Sequence, residues 1–253
     1  MITLQHKRTL DGMLERSLGV VLHQLRYNDE SVIVNIYTQQ HGTVSFLVKM
    51  PKLKRSNVKT QLLRPLNILE LDFDIRPNQN LQRIRDMRLH ISYGSLPYDP
   101  IKGTVSLFLS EFLYYALKHE LENNALFLYL CNSLQWFDRS EKGLANFHLV
   151  FLMRLTRFLG FWPNVQDYVP GMLFDLREST MVSVLPAHGQ YLDGEESAFL
   201  PKLLRMDYAT MHLFRFNRQQ KSRVLDILVD YYRMHIPEFP ELKSLDVLRT
   251  VFS

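Results

Sequence analysis

Between residues 18 and 91, apolar positions alternate with polar ones, the period of a strand that buries one face. The clearest run is 31–38, where Val32, Val34 and Ile36 fall on one side. Residues 18–27, 43–48, 66–74 and 81–91 carry similar runs. Turn residues separate them: Asn28-Asp29, then Gln40-His41-Gly42 with Gly42 suited to positive φ, then Pro77-Asn78. Lys49 to Thr60 reads as a polar loop. Five short strands with tight turns suit a small closed barrel, because closure removes exposed sheet edges. A five-stranded OB-type β-barrel is the leading expectation, and an SH3-like barrel competes with it on strand number.

Residues 92–103, with Gly94, Pro97, Pro100 and Gly103, read as a linker. After them the period becomes helical, with Val105, Leu107, Phe108, Leu109, Phe112, Leu113 and Leu117 in the first run. Helices are predicted at 104–119, 124–138, 144–159, 196–205, 207–213, 217–235 and 244–252. Gly160 and Pro163 stop the third, and Asn217 is suited to cap the long one. Residues 161–194 are irregular, with a hairpin expected between 172–176 and 181–185. The expected architecture is α+β. Residues 1–12 form an extension without fold, 13–91 the OB domain, 92–103 the linker, and 104–253 a mostly helical domain with a hairpin insertion at about 161–194.

Composition narrows the function classes. Of 253 residues, 46% are hydrophobic and 22% charged, the values of an ordinary globular chain. No apolar run approaches the roughly 18 residues of a membrane-spanning helix, and the first twelve residues hold no apolar signal core. The single cysteine, Cys131, excludes an intramolecular disulfide and fits a reducing cytoplasm. It sits beside Leu130 and Leu134 in a predicted helix, the setting of a buried, inert thiol. Net charge is +4, but residues 1–90 hold 14 Lys+Arg against 8 Asp+Glu, while 91–253 hold 16 against 18. A polyanion partner is therefore expected for the N-terminal part only.

The sharpest feature is the run from Lys49 to Arg64, which holds Lys49, Lys52, Lys54, Arg55, Lys59 and Arg64 and no acid. It falls between the third and fourth strands, where the loops of OB barrels hold oligonucleotides. Cations there neutralise phosphates and release counterions. Arg83, Arg85 and Arg88 on the fifth strand and Arg26 at the end of the first are expected to extend this surface. Tyr27, Tyr37 and Phe46 are candidate stacking platforms, with core packing the alternative, most strongly for Phe46. Arg154 and Arg157 lie three apart on the third helix and suit an acidic, hydrophobic peptide tail. Glycine-rich phosphate loops, GxSxG and HExxH are all missing, and the nine histidines lack ligand spacing. No catalytic residue, metal or cofactor is expected.

Several stretches together resemble the RecO family of recombination mediators over roughly residues 13–235: the segment 19–31, His41 to Lys49, Lys52-Leu-Lys-Arg-Ser56, the run 63–71, and Leu159-Gly-Phe-Trp-Pro163. The resemblance implies an N-terminal OB-fold, a helical C-terminal domain and non-catalytic work in the bacterial cytoplasm at the nucleoid. It implies binding of single- and double-stranded DNA and annealing of complementary strands. It also implies partnership with RecR and with the acidic tail of the single-stranded DNA-binding protein, so that RecA loads on coated strands. DNA binding carries over to Lys49, Lys52, Lys54 and Arg55, and with less support to Lys59 and Arg64. Two departures stand out. Residues 164–190 contain no cysteine, so the four-cysteine zinc site of many members is expected to be absent, with Tyr168, Phe174 and Leu176 packing instead. The basic loop begins Lys49-Met50-Pro51 rather than Lys-Gly, and Pro51 removes a donor. An RNA-binding OB module and a protein-interaction scaffold are the alternatives.

Overall fold

The computed structural model describes residues 13–50, 57–76 and 78–251; the expected extension at 1–12 lies outside them. Five antiparallel strands, β1 (Met13–Asn28), β2 (Ser31–Thr38), β3 (Gly42–Lys49), β4 (Ile68–Ile75) and β5 (Arg83–Leu89), form one sheet in the order β3-β2-β1-β4-β5. The long β1 serves two partners. It faces β4 from Met13 opposite Ile75 to Val20 opposite Ile68, and β2 from Gly19 opposite Thr38 to Asn28 opposite Ser31. Alternation accounts for the core: Val34, Ile36, Phe46, Leu69, Leu71 and Phe73 are all fully buried, and Phe46 meets Phe73 edge-on at 5.1 Å.

The OB-type five-stranded sheet is present, but it does not close into the expected barrel: its two edges touch at a single isolated bridge. Edges β3 and β5 meet in parallel at Phe46 and Gln82, through Leu47 N–H to Gln82 O (2.9 Å) and Gln82 N–H to Ser45 O (2.9 Å). The Gln82 side chain fixes this point, donating to the carbonyls of Arg76 and Gln79 and accepting from Arg76 N–H. One short helix, α1 (Asn57–Leu62), begins inside the stretch read as a loop and runs two residues past its end.

Further helices are α2 (Pro100–Ala116), α3 (Asn124–Arg139), α4 (Phe147–Leu159), α5 (Gly194–Ser197), α6 (Phe199–Arg205), α7 (Arg218–His235) and α8 (Ser244–Val251). α2 starts four residues before Thr104 and takes in the end of the expected linker. The Asp99 carboxylate accepts from Ile101 and Lys102 N–H, and Pro100 occupies the first turn, where no donor is needed. The chain divides into two compact units, one of Met1–Tyr98 with Ser106–Leu134, the other of Asp99–Val105 with Gln135–Ser253.

In the first unit, residues 106–134 pack on the sheet. Thr43 N–H and Oγ1 donate to the carbonyls of Glu120 (3.1 Å) and Leu117 (2.6 Å), Ser110 donates to Leu22 O, and His23 stacks on Tyr114 at 4.5 Å. Gly42, at φ 61°, lies so close that a Cβ would stand 2.2 Å from Glu120 O.

The core of the second unit is α4, buried along nearly its whole length and ended by Gly160 at φ 87°. α7 begins with a capping box, Gln220 N–H to Asn217 and Asn217 N–H to Gln220. The expected helix at 207–213 reduces to a single 3-10 turn at Met211–Leu213, because Asp207 and Thr210 bond each other's backbone and compete with helix formation. The hairpin at 161–194 has a third strand: β6 (Leu173–Asp175) lies between β7 (Thr180–Val182) and β8 (Tyr191–Leu192).

Candidate nucleic-acid interface

Of the expected phosphate-binding side chains, Lys52, Lys54 and Arg55 lie outside the described residues, and Lys59 falls in α1 with its side chain likewise outside them. Lys49 ends β3, Arg64 occupies the turn between α1 and β4, and Arg83 opens β5; all three are exposed. None of the three meets a carboxylate among the described residues.

The other expected cations do. Glu70, Asp72 and Asp74 alternate along β4 and so share its outward face, and each is matched by an arginine from a neighbouring strand. Arg88 reaches Glu70 at 2.5 Å, Arg16 reaches Asp72 at 2.8 Å, and Arg85 reaches Asp74 at 2.6 Å. His90 and then Arg88 hold the Glu70 carboxyl below the usual range, and Arg16 does the same for Asp72. Arg26 pairs with Asp29 at 2.6 Å in the β1–β2 hairpin. Arg85, Arg88 and Arg26 are thus neutralised locally, and the wider positive surface expected from them narrows to Lys49, Arg64 and Arg83.

A β-bulge shapes this end of the sheet. Asp72 faces Asp86 while Phe73 faces Ile84, so β5 holds one extra residue, Arg85. Ile84 and Met87, three apart, consequently both pack against the core of the sheet. Beyond the Phe46–Gln82 bridge the edges of β3 and β5 border a groove of 430 Å³ lined by Leu47, Val48, Lys49, Leu62 and residues 83–87. The sequence marked its cations but not its apolar lining, since strict alternation places Ile84 and Met87 on opposite faces.

The aromatic candidates separate clearly. Phe46 is core. Tyr37 is also fully buried, its hydroxyl donates to Leu121 O at 3.3 Å, and burial drives its pKa well up, so it is no platform. Tyr27, 59% exposed in the β1–β2 hairpin, is the stacking candidate that remains.

In the second unit Arg154 donates two hydrogen bonds to Met206 O, where α6 ends, while Arg157 is exposed. Arg154 is thus engaged within its unit, whereas Arg157 faces solvent. The cysteine-free segment is held by packing and hydrogen bonds. Phe174 is fully buried against Tyr231 at 6.1 Å, Leu176 is buried, and Tyr168 is half-buried. Burial pushes the Asp175 carboxyl up, but Glu178 and Arg177 N–H and then the His188 ring outweigh it and leave it lowered. Cys131 is buried and its thiol pushed up to about 12, the state of an inert side chain. Among the described residues no group of three or more His, Cys, Asp or Glu is placed to hold a metal ion, and no helix is long and apolar enough to cross a membrane.

Family profiles cover almost the whole described chain. Recombination protein O N terminal matches residues 13–93, and Recombination protein O C terminal matches 97–246. The chain belongs to the RecO family. The curated protein named DNA repair protein RecO from Phocaeicola vulgatus is 50% identical over 241 residues, 95% of this chain and 100% of the relative. That of Bacteroides fragilis is 49% identical over the same shares, and that of Porphyromonas gingivalis 35% identical over 95% and 100%. The two RecO matches divide the chain between 93 and 97, next to the start of α2 at Pro100.

Proposed function

We propose that this chain is a non-catalytic DNA repair and recombination mediator of the bacterial cytoplasm, acting at the nucleoid. It binds single- and double-stranded DNA through the N-terminal sheet, anneals complementary strands, and assists RecA loading on strands coated by the single-stranded DNA-binding protein. RecR and the acidic tail of that coating protein are its protein partners, with Arg157 the exposed cation offered to the tail. The observation that carries the reading is the contrast among cations on and beside one sheet. Arg16, Arg85 and Arg88 are matched to carboxylates, whereas Lys49, Arg64 and Arg83 are left for an external anion. Lys52, Lys54, Arg55 and Lys59 add charge to the same stretch of chain. Annealing needs no covalent step, only phosphate neutralisation and a surface that keeps two strands together.

The test is fluorescence-monitored annealing of two complementary strands coated with single-stranded DNA-binding protein, with and without this chain. Acceleration by the wild type and its loss in a Lys52→Glu, Lys54→Glu, Arg55→Glu variant support the reading. Equal rates with and without the chain refute it.

A further inference from the structure

Past the bridge between Phe46 and Gln82, β3 and β5 part, and the groove between them combines two unlike surfaces. Lys49 and Arg83 are exposed at its rims, while Val48, Leu62, Ile84 and Met87 form an apolar floor continuous with the core of the sheet. We propose that this groove receives an unstacked nucleobase, which makes the interface prefer single-stranded over duplex DNA. The inference rests on the DNA-binding reading above and adds base contact to it.

The argument turns on what each surface recognises. Cations meet phosphate in any nucleic acid and cannot by themselves tell one strand from two. An apolar floor adds nothing to a duplex, whose base faces are covered by their neighbours in the stack. A single strand can turn a base out, and covering its face with Met87 and Ile84 removes apolar surface from water. The groove's 430 Å³ lies within the roughly 300–1,000 Å³ of small-molecule pockets. Its walls also offer backbone groups. Past Leu47, whose N–H is taken by Gln82 O, β3 is laddered to β2 and β5 to β4, and these two sheet edges face the groove. A peptide strand would use the same edges, but Lys49 and Arg83 outnumber Asp86, the one carboxylate among the described lining residues, and favour a polyanion.

Fluorescence anisotropy with the full chain tests this, using three probes of equal length: an oligothymidylate, an abasic oligodeoxynucleotide, and a duplex. Oligothymidylate should bind about tenfold tighter than the abasic strand, the scale of one base contact, and tighter than duplex. Met87→Ser should shrink the thymidylate-to-abasic ratio, and Met87→Leu should restore it. Equal affinity of the wild type for the thymidylate and abasic strands overturns the base groove while leaving phosphate binding intact, whether or not the variants fold. A failure of all three probes to bind overturns the DNA reading itself. A ratio unmoved by Met87→Ser in a folded protein places base contact elsewhere and also overturns the proposal.

Discussion

Arg83 and Arg88 stand on one strand with the same side chain and opposite prospects. Arg88 Nη2 lies 2.5 Å from the Glu70 carboxylate, while Arg83 has no carboxylate among the described residues. Bringing phosphate to Arg88 means breaking a charge-assisted pair; bringing it to Arg83 does not. Arg83→Ala is therefore expected to weaken single-strand binding severalfold without a change in Tm, and Arg88→Ala to leave affinity within about twofold. Anisotropy titrations beside thermal melts check both. Ionic pairs at the surface contribute at most about 1 kcal/mol, so the Arg88 variant should also melt close to wild type. Sequence could not separate the two arginines, because Glu70 and Arg88 are 18 positions apart and only strand register makes them partners. It could mark the charge of the run from Lys49 to Arg64, since charge composition needs no register. Tyr37 shows the converse: alternation leaves an aromatic's burial open, and residues 106–134 close over it.

At the scale of elements, strands were legible wherever turn residues and alternation agreed, as in β2, whose bounds at 31–38 match the expectation. The bulge in β5 was not, because an extra residue leaves no mark in composition yet swings Met87 onto the same side as Ile84. α1 was missed for lack of apolar period, and α2 was shortened because prolines and glycines looked like linker when Pro100 was a helix start. α4 carries a pH dependence. His148 is buried there and held down to about 3, by burial first and then by the charge of Lys221. The unfolded chain takes up that proton near 6.5, so between these values it binds more protons than the folded chain, and stability falls as pH falls. The slope is about 1.4 kcal/mol per pH unit where His148 is the group titrating. Asp175 and Asp207, both lowered, act in the same direction. His148→Leu should flatten the loss of Tm between about pH 6 and pH 4.5 relative to wild type. A variant curve parallel to wild type throughout contradicts the buried neutral imidazole.

For the molecule as a whole, the RecO assignment joins a basic sheet-bearing unit to a helical unit whose hairpin segment holds itself without cysteine. Tyr231 ties that segment down, its hydroxyl donating to Phe161 O at 2.7 Å and meeting Ser179 Oγ at 2.5 Å. Tyr231→Phe leaves the buried Phe161 carbonyl without this donor and removes a partner of the Ser179 hydroxyl, and should cost about 1–3 kcal/mol in urea unfolding. Elemental analysis of the purified protein should find no stoichiometric zinc, and one zinc per chain would contradict the structure of 161–194. The fold class and the charged third of the chain could be read from periodicity and composition, which are local properties. The groove could not, because it is made where two strands distant in sequence stop pairing. The most direct test of phosphate gripping by the unpaired cations is the salt dependence of single-strand binding, in wild type and in a Lys49→Ala, Arg83→Ala double variant. Each lost phosphate contact should flatten the plot of log K against log salt by about 0.7, so the variant slope should be shallower by about 1.4. A variant with wild-type slope and wild-type affinity would contradict the account.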